Sequence, residues 1–415
     1  MRHPLRRAVN LARALAGLAV VLFISPQLAT SDEPAELFGP IERGPEATSL
    51  LRPMAARSVV VRTSATFQAL LSAPNGKSAR IRLPEVDFTV TLTSEPSVAE
   101  MRVVSGEEVG SGEAGAKGSI RLALADRTIL AGTLVTPDLR TFQIRALPEA
   151  GSLVVGQLAT SELPASLDCV VTSKQFVRRD GPPKDLGEPK DGEPFSVLVA
   201  YSKNALEEAG DKKRMDALIA LAIAETNAAY KDSGIQHTLV LAGALETESE
   251  SSRSLDDLLE QLREPADKHM DEIHAMRDRT SADMVCLLVS KQAEACGIGY
   301  VMVGADPGFK NRAFSVVRLN CATGYYSFGH ELAHNMGCCH DPENSDGECA
   351  GGTAHGWRFP ASGRVVRTIM SYQPGERIGR YSNPDLKFLG EPTGTKDANN
   401  ALRINSNASV VAGWR

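Results

Sequence analysis

The chain has 415 residues, with 42% hydrophobic and 5% aromatic side chains, 35 glycines, 23 prolines and a formal net charge of -6. The length suggests two or three domains, and the composition excludes a coiled coil or collagen-like chain in favour of a loop-rich globular protein. No basic footprint of a nucleic-acid binder is present, so no nucleic-acid partner is expected.

In chain order, 1–31 reads as an export signal. Arg2, Arg6, Arg7 and Arg13 precede an apolar run from Leu15 to Ile24, and Ala29 and Ser31 suit a cleavage site. The run is short for a bilayer span, and an uncleaved anchor is the alternative. No later stretch is long enough to span a membrane, so a soluble, secreted chain (periplasmic or extracellular) is expected after signal cleavage. Residues 32–173 read as β-rich. Strand-like composition or alternation marks 58–61, 86–92 and 141–144, and the glycine-rich stretch 106–118 reads as punctuation.

A polar segment follows over 174–194, with Arg178-Arg179, Pro182-Pro183 and Pro189. It cannot bury enough apolar surface to fold alone, so an exposed, cleavable linker and a domain boundary are expected there. From 195 onward strands and helices alternate. Strands are expected at 195–201, 235–245, 283–290 and, shorter, 297–303. A helix is expected over 212–231, and a second over 255–279 interrupted at Pro265. This alternation predicts a mixed α/β layer domain over 195–415.

Chemistry concentrates in His330-Glu331-Leu332-Ala333-His334-Asn335-Met336-Gly337-Cys338-Cys339-His340-Asp341. Residues four apart share a helix face, so His330 and His334 can hold one ion together. Glu331 flanks that face and can reach a metal-bound water as general base. Gly337 can end the helix in a left-handed conformation and turn His340 back as third ligand. Three nitrogen ligands leave a position open, the catalytic pattern of zinc. Five fixed residues at this spacing arise by chance on the order of once in 10⁴ to 10⁵ chains of this size. A purely structural zinc site is the competing reading, since Cys338 and Cys339 lie nearby.

This segment resembles the H-E-x-x-H-x-x-G-x-x-H motif of the metzincin zinc proteases. Thr368-Ile369-Met370-Ser371-Tyr372 is similar to their Met-turn, which implies Met370 as an apolar floor beneath the ion. Tyr372, two residues on, is implied as a transition-state stabiliser; simple packing is the alternative. Asp341 resembles the reprolysin branch. The stretch from Arg380 to Asp385, with Asp397-Ala398-Asn399 and the end Val411 to Arg415, resembles bacterial peptidyl-Asp metalloendopeptidases. The resemblance implies an α/β (α+β) metzincin-like catalytic domain with a mixed sheet and an active-site helix, preceded by a β-rich propeptide domain. It implies protein or peptide substrates laid along an exposed sheet edge, for which 297–303 is the candidate. Asp-directed cleavage would need a cation on the leaving-group side, with Arg367, Arg377 and Arg380 as candidates. The alternatives are a broad-specificity adamalysin- or serralysin-like protease and an inactive secreted zinc-binding protein. No Asp-rich repeat for calcium appears near the C-terminus, so structural calcium is unsupported.

Seven cysteines in an exported chain permit disulfides. Cys296 with Cys321 and Cys339 with Cys349 are the expected pairs, and Cys286 reads as a buried thiol. Cys169 stands alone in the N-terminal half. It is either a zinc ligand that holds the precursor latent or an idle buried cysteine. Cleavage near Arg178-Arg179, or self-cleavage beside Asp180, Asp185 or Asp191, would release the catalytic part.

Overall fold

The computed structural model describes residues 34–42, 55–110, 116–149, 151–158, 169, 176–178, 193–252, 254–290, 295–345 and 354–415. The export signal over 1–31 therefore lies outside the described residues.

The N-terminal half forms ten strands: β1 (Ala35–Glu36), β2 (Phe38–Glu42), β3 (Ala55–Thr63), β4 (Ser78–Leu83), β5 (Val86–Val98), β6 (Met101–Glu108), β7 (Ser119–Ala125), β8 (Thr128–Val135), β9 (Thr141–Ala146) and β10 (Ser152–Leu158). A short helix, α1 (Ala65–Leu70), lies between β3 and β4. The strands join in one sheet in the order β1-β4-β5-β6-β7-β8-β9-β10-β3-β2. Successive side chains of a strand point to opposite faces. Val86, Phe88, Val90 and Leu92 of β5 thus share one face, buried with Ile120, Leu122, Leu134 and Ile144. The segments 58–61, 86–92 and 141–144 fall within β3, β5 and β9. Gly106 differs from expectation, because it sits inside β6. A Cβ there would meet Val90 Cγ2 at 2.8 Å, so close packing and not chain reversal accounts for it.

The polar segment after residue 173 is not wholly detached. Its β11 (Phe176–Arg178) pairs in parallel with Val301–Val303. Residues 179–192, with Arg179 and the expected cleavage sites at Asp180, Asp185 and Asp191, lie outside the described residues.

The C-terminal half runs β12 (Phe195–Ser202), α2 (Lys203–Ala209), α3 (Lys212–Asp232), β13 (Leu239–Thr247), α4 (Leu255–Arg263), α5 (Asp271–Thr280), β14 (Met284–Val289), β15 (Gly297–Gly299), β16 (Val301–Val303), β17 (Phe314–Arg318), α6 (Leu319–Ala322), α7 (Ser327–Asn335) and α8 (Asn400–Val411). Helix starts are capped locally. Ser202, Asp211 and Ser254 accept the backbone N–H of Ala205, Arg214 and Asp257 at the heads of α2, α3 and α4. Pro265 separates α4 from α5, as its missing N–H dictates.

The sheet order is β13-β12-β14-β17-β15. The first four strands are parallel, and β15 closes the edge antiparallel to β17. The architecture is mixed α/β with a β-rich N-terminal region. The strand expected at 235–245 begins only at Leu239, and neither α2 nor β17 stood out in the sequence. Cys296 is bonded to Cys321, which ties the residue before β15 to α6. The expected partner of Cys339, Cys349, lies outside the described residues. Among the described residues no helix is long and apolar enough to cross a membrane.

Candidate metal centre

Every residue of α7 is buried, because the helix lies between β15, β17 and α3. Asn335 secures it, its Nδ2 donating to the carbonyls of Tyr300 (2.8 Å) and Phe314 (3.2 Å). The helix ends at Met336. Gly337 follows at φ +93°, and the Cys338 N–H closes back on Ala333 O at 2.9 Å. A side chain at Gly337 would strike Asn407 Nδ2 at 2.9 Å and Met302 O at 3.0 Å, so the turn needs glycine on two counts.

That turn brings His340 back to His330 and His334. The Nε2 of His340 stands 3.1 Å from that of His330 and 3.0 Å from that of His334. The far ring nitrogens of the two helical residues are occupied: His330 Nδ1 pairs with Ile369 O and His334 Nδ1 with Cys338 O, both at 2.8 Å. A ring nitrogen facing a carbonyl carries the proton, so each Nε2 presents a lone pair. Burial lowers all three pKa values, His334 to about 4 and the other two well below the usual imidazole range; neighbouring imidazoles add to the effect at His330 and His340. Neutral lone pairs aimed at one another repel unless a cation lies between them. Tetrahedral zinc with Zn–N near 2.05 Å would set the nitrogens about 3.3 Å apart, close to what is observed. The donor set therefore fits zinc.

Glu331 is 1% exposed and turns towards β15. A Cβ on Gly297 would meet Glu331 Oε1 at 2.3 Å, and one on Gly299 would meet the Glu331 carbonyl at 3.0 Å. Residues two apart share a strand face, so two glycines at that spacing let the edge strand lie directly on the helix. The G-x-G spacing within 297–303, the expected edge, is the sequence signal for this contact.

Cys169 reaches the same place from the N-terminal half. Its backbone bridges to Gly297, and its Sγ lies 3.3 Å from Glu331 Oε2 and 3.6 Å from His334 Nε2. With the three histidines it forms a buried four-ligand cluster whose donor atoms lie within 4.8 Å of one another. Tyr372 completes the surround. Its ring lies 4.1 Å from that of His340, and its hydroxyl donates to the Cys169 carbonyl.

Asp341, marked in the sequence only by a family resemblance, organises this side of the site. Its Oδ2 accepts from Ser371 Oγ (3.1 Å) and the Tyr372 N–H (2.8 Å), and its Oδ1 from Asn344 Nδ2 (2.7 Å) and Arg358 (3.0 Å). One carboxylate next to the third histidine thus holds the turn that carries Met370 and Tyr372. Met370 is fully buried.

The three candidate arginines separate. Arg367 is fully buried and spent on Gly375 O, Ser371 O and the Tyr325 hydroxyl, a brace within the fold. Arg380 lies over the Phe388 ring. Arg377 donates to Tyr325 O at 3.0 Å and stacks 4.4 Å over that ring, and its charge helps depress the pKa values of His330 and His340.

Residues 193–382 match the family model Reprolysin_5, Metallo-peptidase family M12. Two Stenotrophomonas maltophilia proteins, from strains R551-3 and K279a, are each named peptidyl-Asp metalloendopeptidase. The first is 32% identical over 55% of both chains, the second 34% identical over 52% of both. A Xanthomonas campestris protein of the same name is 32% identical over 52% of this chain and 51% of its own. The chain thus matches about half the length of these curated relatives. A solved structure titled "Structure of a chaperone-substrate complex" aligns with a TM-score of 0.44 at 15% identity, over 68% of this chain and 39% of that one, too loose a likeness to carry the fold across.

Proposed function

We propose, from the premise that residues 193–382 belong to the reprolysin-like M12 metallopeptidases, that the protein is a secreted zinc endopeptidase with a metzincin-type catalytic domain, made with a β-rich propeptide. The observation that carries this reading is the convergence of three neutral, buried Nε2 lone pairs beside one glutamate. His330, His334 and His340 would hold the ion. Bound zinc supplies the positive charge that acidifies a water and polarises the scissile carbonyl.

The remaining work falls to the chain's own groups. Glu331 accepts the proton of the attacking water and delivers it to the leaving amine. Tyr372 donates its hydroxyl to the carbonyl oxygen as negative charge develops there. Its present bond to a peptide carbonyl, that of Cys169, supports this role. The β15 edge offers backbone groups to an extended substrate. Asp-directed cleavage is proposed from the names of the relatives.

In the full chain Cys169 would take the fourth ligand position, and its carbonyl occupies Tyr372, which supports a latent precursor over an idle cysteine. Digestion of a mixed peptide library by the processed protein, with and without a zinc chelator, tests the reading. Chelator-sensitive cuts beside Asp are expected. Chelator-sensitive cuts without Asp preference would keep the endopeptidase and remove the specificity. No cuts by folded, zinc-loaded, processed protein would overturn the activity and favour a zinc-binding protein.

A further inference from the structure

The central part of helix α3 is buried on every side. Its central run Ala217-Leu218-Ile219-Ala220-Leu221-Ala222-Ile223-Ala224 is apolar throughout and at most 4% exposed. Eight consecutive residues at about 100° each cover the whole circumference of a helix, so no face of this stretch is built for water. Its own sheet and α7 cover part of it. Strands β7 and β8 of the N-terminal sheet cover the rest, and Met101, Ala123 and Ala131 join the same core cluster.

Polar groups at this junction also pair across it. Glu225 of α3, 3% exposed, accepts the Gly324 N–H at 2.8 Å; burial raises its pKa, opposed by the charges of Arg121 and Arg145 of the N-terminal sheet. Gln143, fully buried, donates to Asn320 O and Thr323 O at 2.9 and 2.5 Å. Arg145 donates to Thr323 Oγ1 at 2.9 Å. A Cβ on Gly324 would meet Leu158, Gln143 and Thr133 within 3.5 Å. None of these residues touches the metal centre.

We infer that the N-terminal sheet stays bound to the C-terminal half after the chain between them is cut, held by α3 and residues 319–324 and not by Cys169. This rests on the precursor reading above. Parting the halves would strip cover from an all-apolar helix and break the buried hydrogen bonds that Gln143 and Arg145 donate to residues 320 and 323. Removal of Cys169 from the metal and departure of the sheet are then separate events, and the cut protein is a two-piece complex.

The test needs no activity of the protein itself. A recognition sequence for an added protease is placed within 179–192 of the full-length chain, the chain is nicked, and the pieces are followed by gel filtration at micromolar concentration. Co-elution is expected both for the natural sequence and for Cys169→Ser. Gln143→Ala with Arg145→Ala should raise the dissociation constant of the nicked complex about 10-fold or more. Thr323→Ala, from the other side of the junction, should weaken it in the same direction, and thermal melting of the uncut variants checks that they fold. Separation of the natural pieces would overturn the inference. So would separation confined to Cys169→Ser, which would put the anchor at the metal, or undiminished affinity in folded junction variants. Co-elution bears on the junction alone, and digestion by the processed protein bears on the activity, so either can fail without the other.

Discussion

Glu331 stands beside the metal cluster without being one of the four groups that form it. Replacing its carboxylate with an amide should spare ion binding and remove proton transfer. Glu331→Gln is expected to retain zinc at the level of the natural protein, measured by atomic absorption, while kcat falls about 10²- to 10⁴-fold. Loss of zinc together with activity would mean that Glu331 is a ligand or a structural support. Asp341 makes a different case. Its carboxylate is 1% exposed and accepts four hydrogen bonds, one of them from Arg358. Asp341→Ala leaves those donors without their acceptor and should destabilise the fold by about 3 kcal/mol, read in denaturant unfolding. An unchanged midpoint would show that water or a neighbour replaces the carboxylate.

At the level of elements, the contact between β15 and α7 is the most demanding. Gly297→Ala puts a methyl group where the Glu331 carboxylate lies. Because that neighbour is the proposed general base, a shift of about 1 Å is expected to cost on the order of 10²-fold in kcat/KM. Activity equal to that of the natural protein would show that the edge strand yields instead. The same contact explains what the sequence could and could not reveal. His330, His334, Gly337 and His340 sit in one short segment whose helical geometry fixes their relation, so the metal cluster was legible. Likewise, α3 and the α4–Pro265–α5 break carry their own periodicity and punctuation. The roles of Asp341, Arg367 and Gly297 depend on partners far along the chain, and no local pattern encodes them. Strand β17 is a short apolar run, ambiguous by itself and defined by its neighbours β14 and β15. Residues 176–178 looked like linker because side-chain polarity says nothing of backbone pairing at an open edge.

For the molecule as a whole, the N-terminal half meets the C-terminal half at the metal centre, at α3 and along the β11–β16 pairing. Cys169→Ser in the uncut chain should loosen only the first contact. A fluorogenic peptide is then expected to be turned over by the uncut variant and not by the uncut natural chain, with gel filtration unchanged. Equal latency in both would show that the covering backbone suffices. The thiols carry one more consequence. Cys296 and Cys321 must meet an oxidant to form their bond, yet Cys169, Cys286 and Cys338 stay reduced in the same chain. Burial pushes the thiols of Cys286 and Cys338 up to about 12, so almost none of the reactive thiolate exists to be oxidised. Cys169 is screened by its seat against Gly297 and the histidines. Folding ahead of oxidation is then expected, and an environment that oxidised the unfolded chain first would let Cys169, Cys286 and Cys338 pair where the native structure keeps them apart.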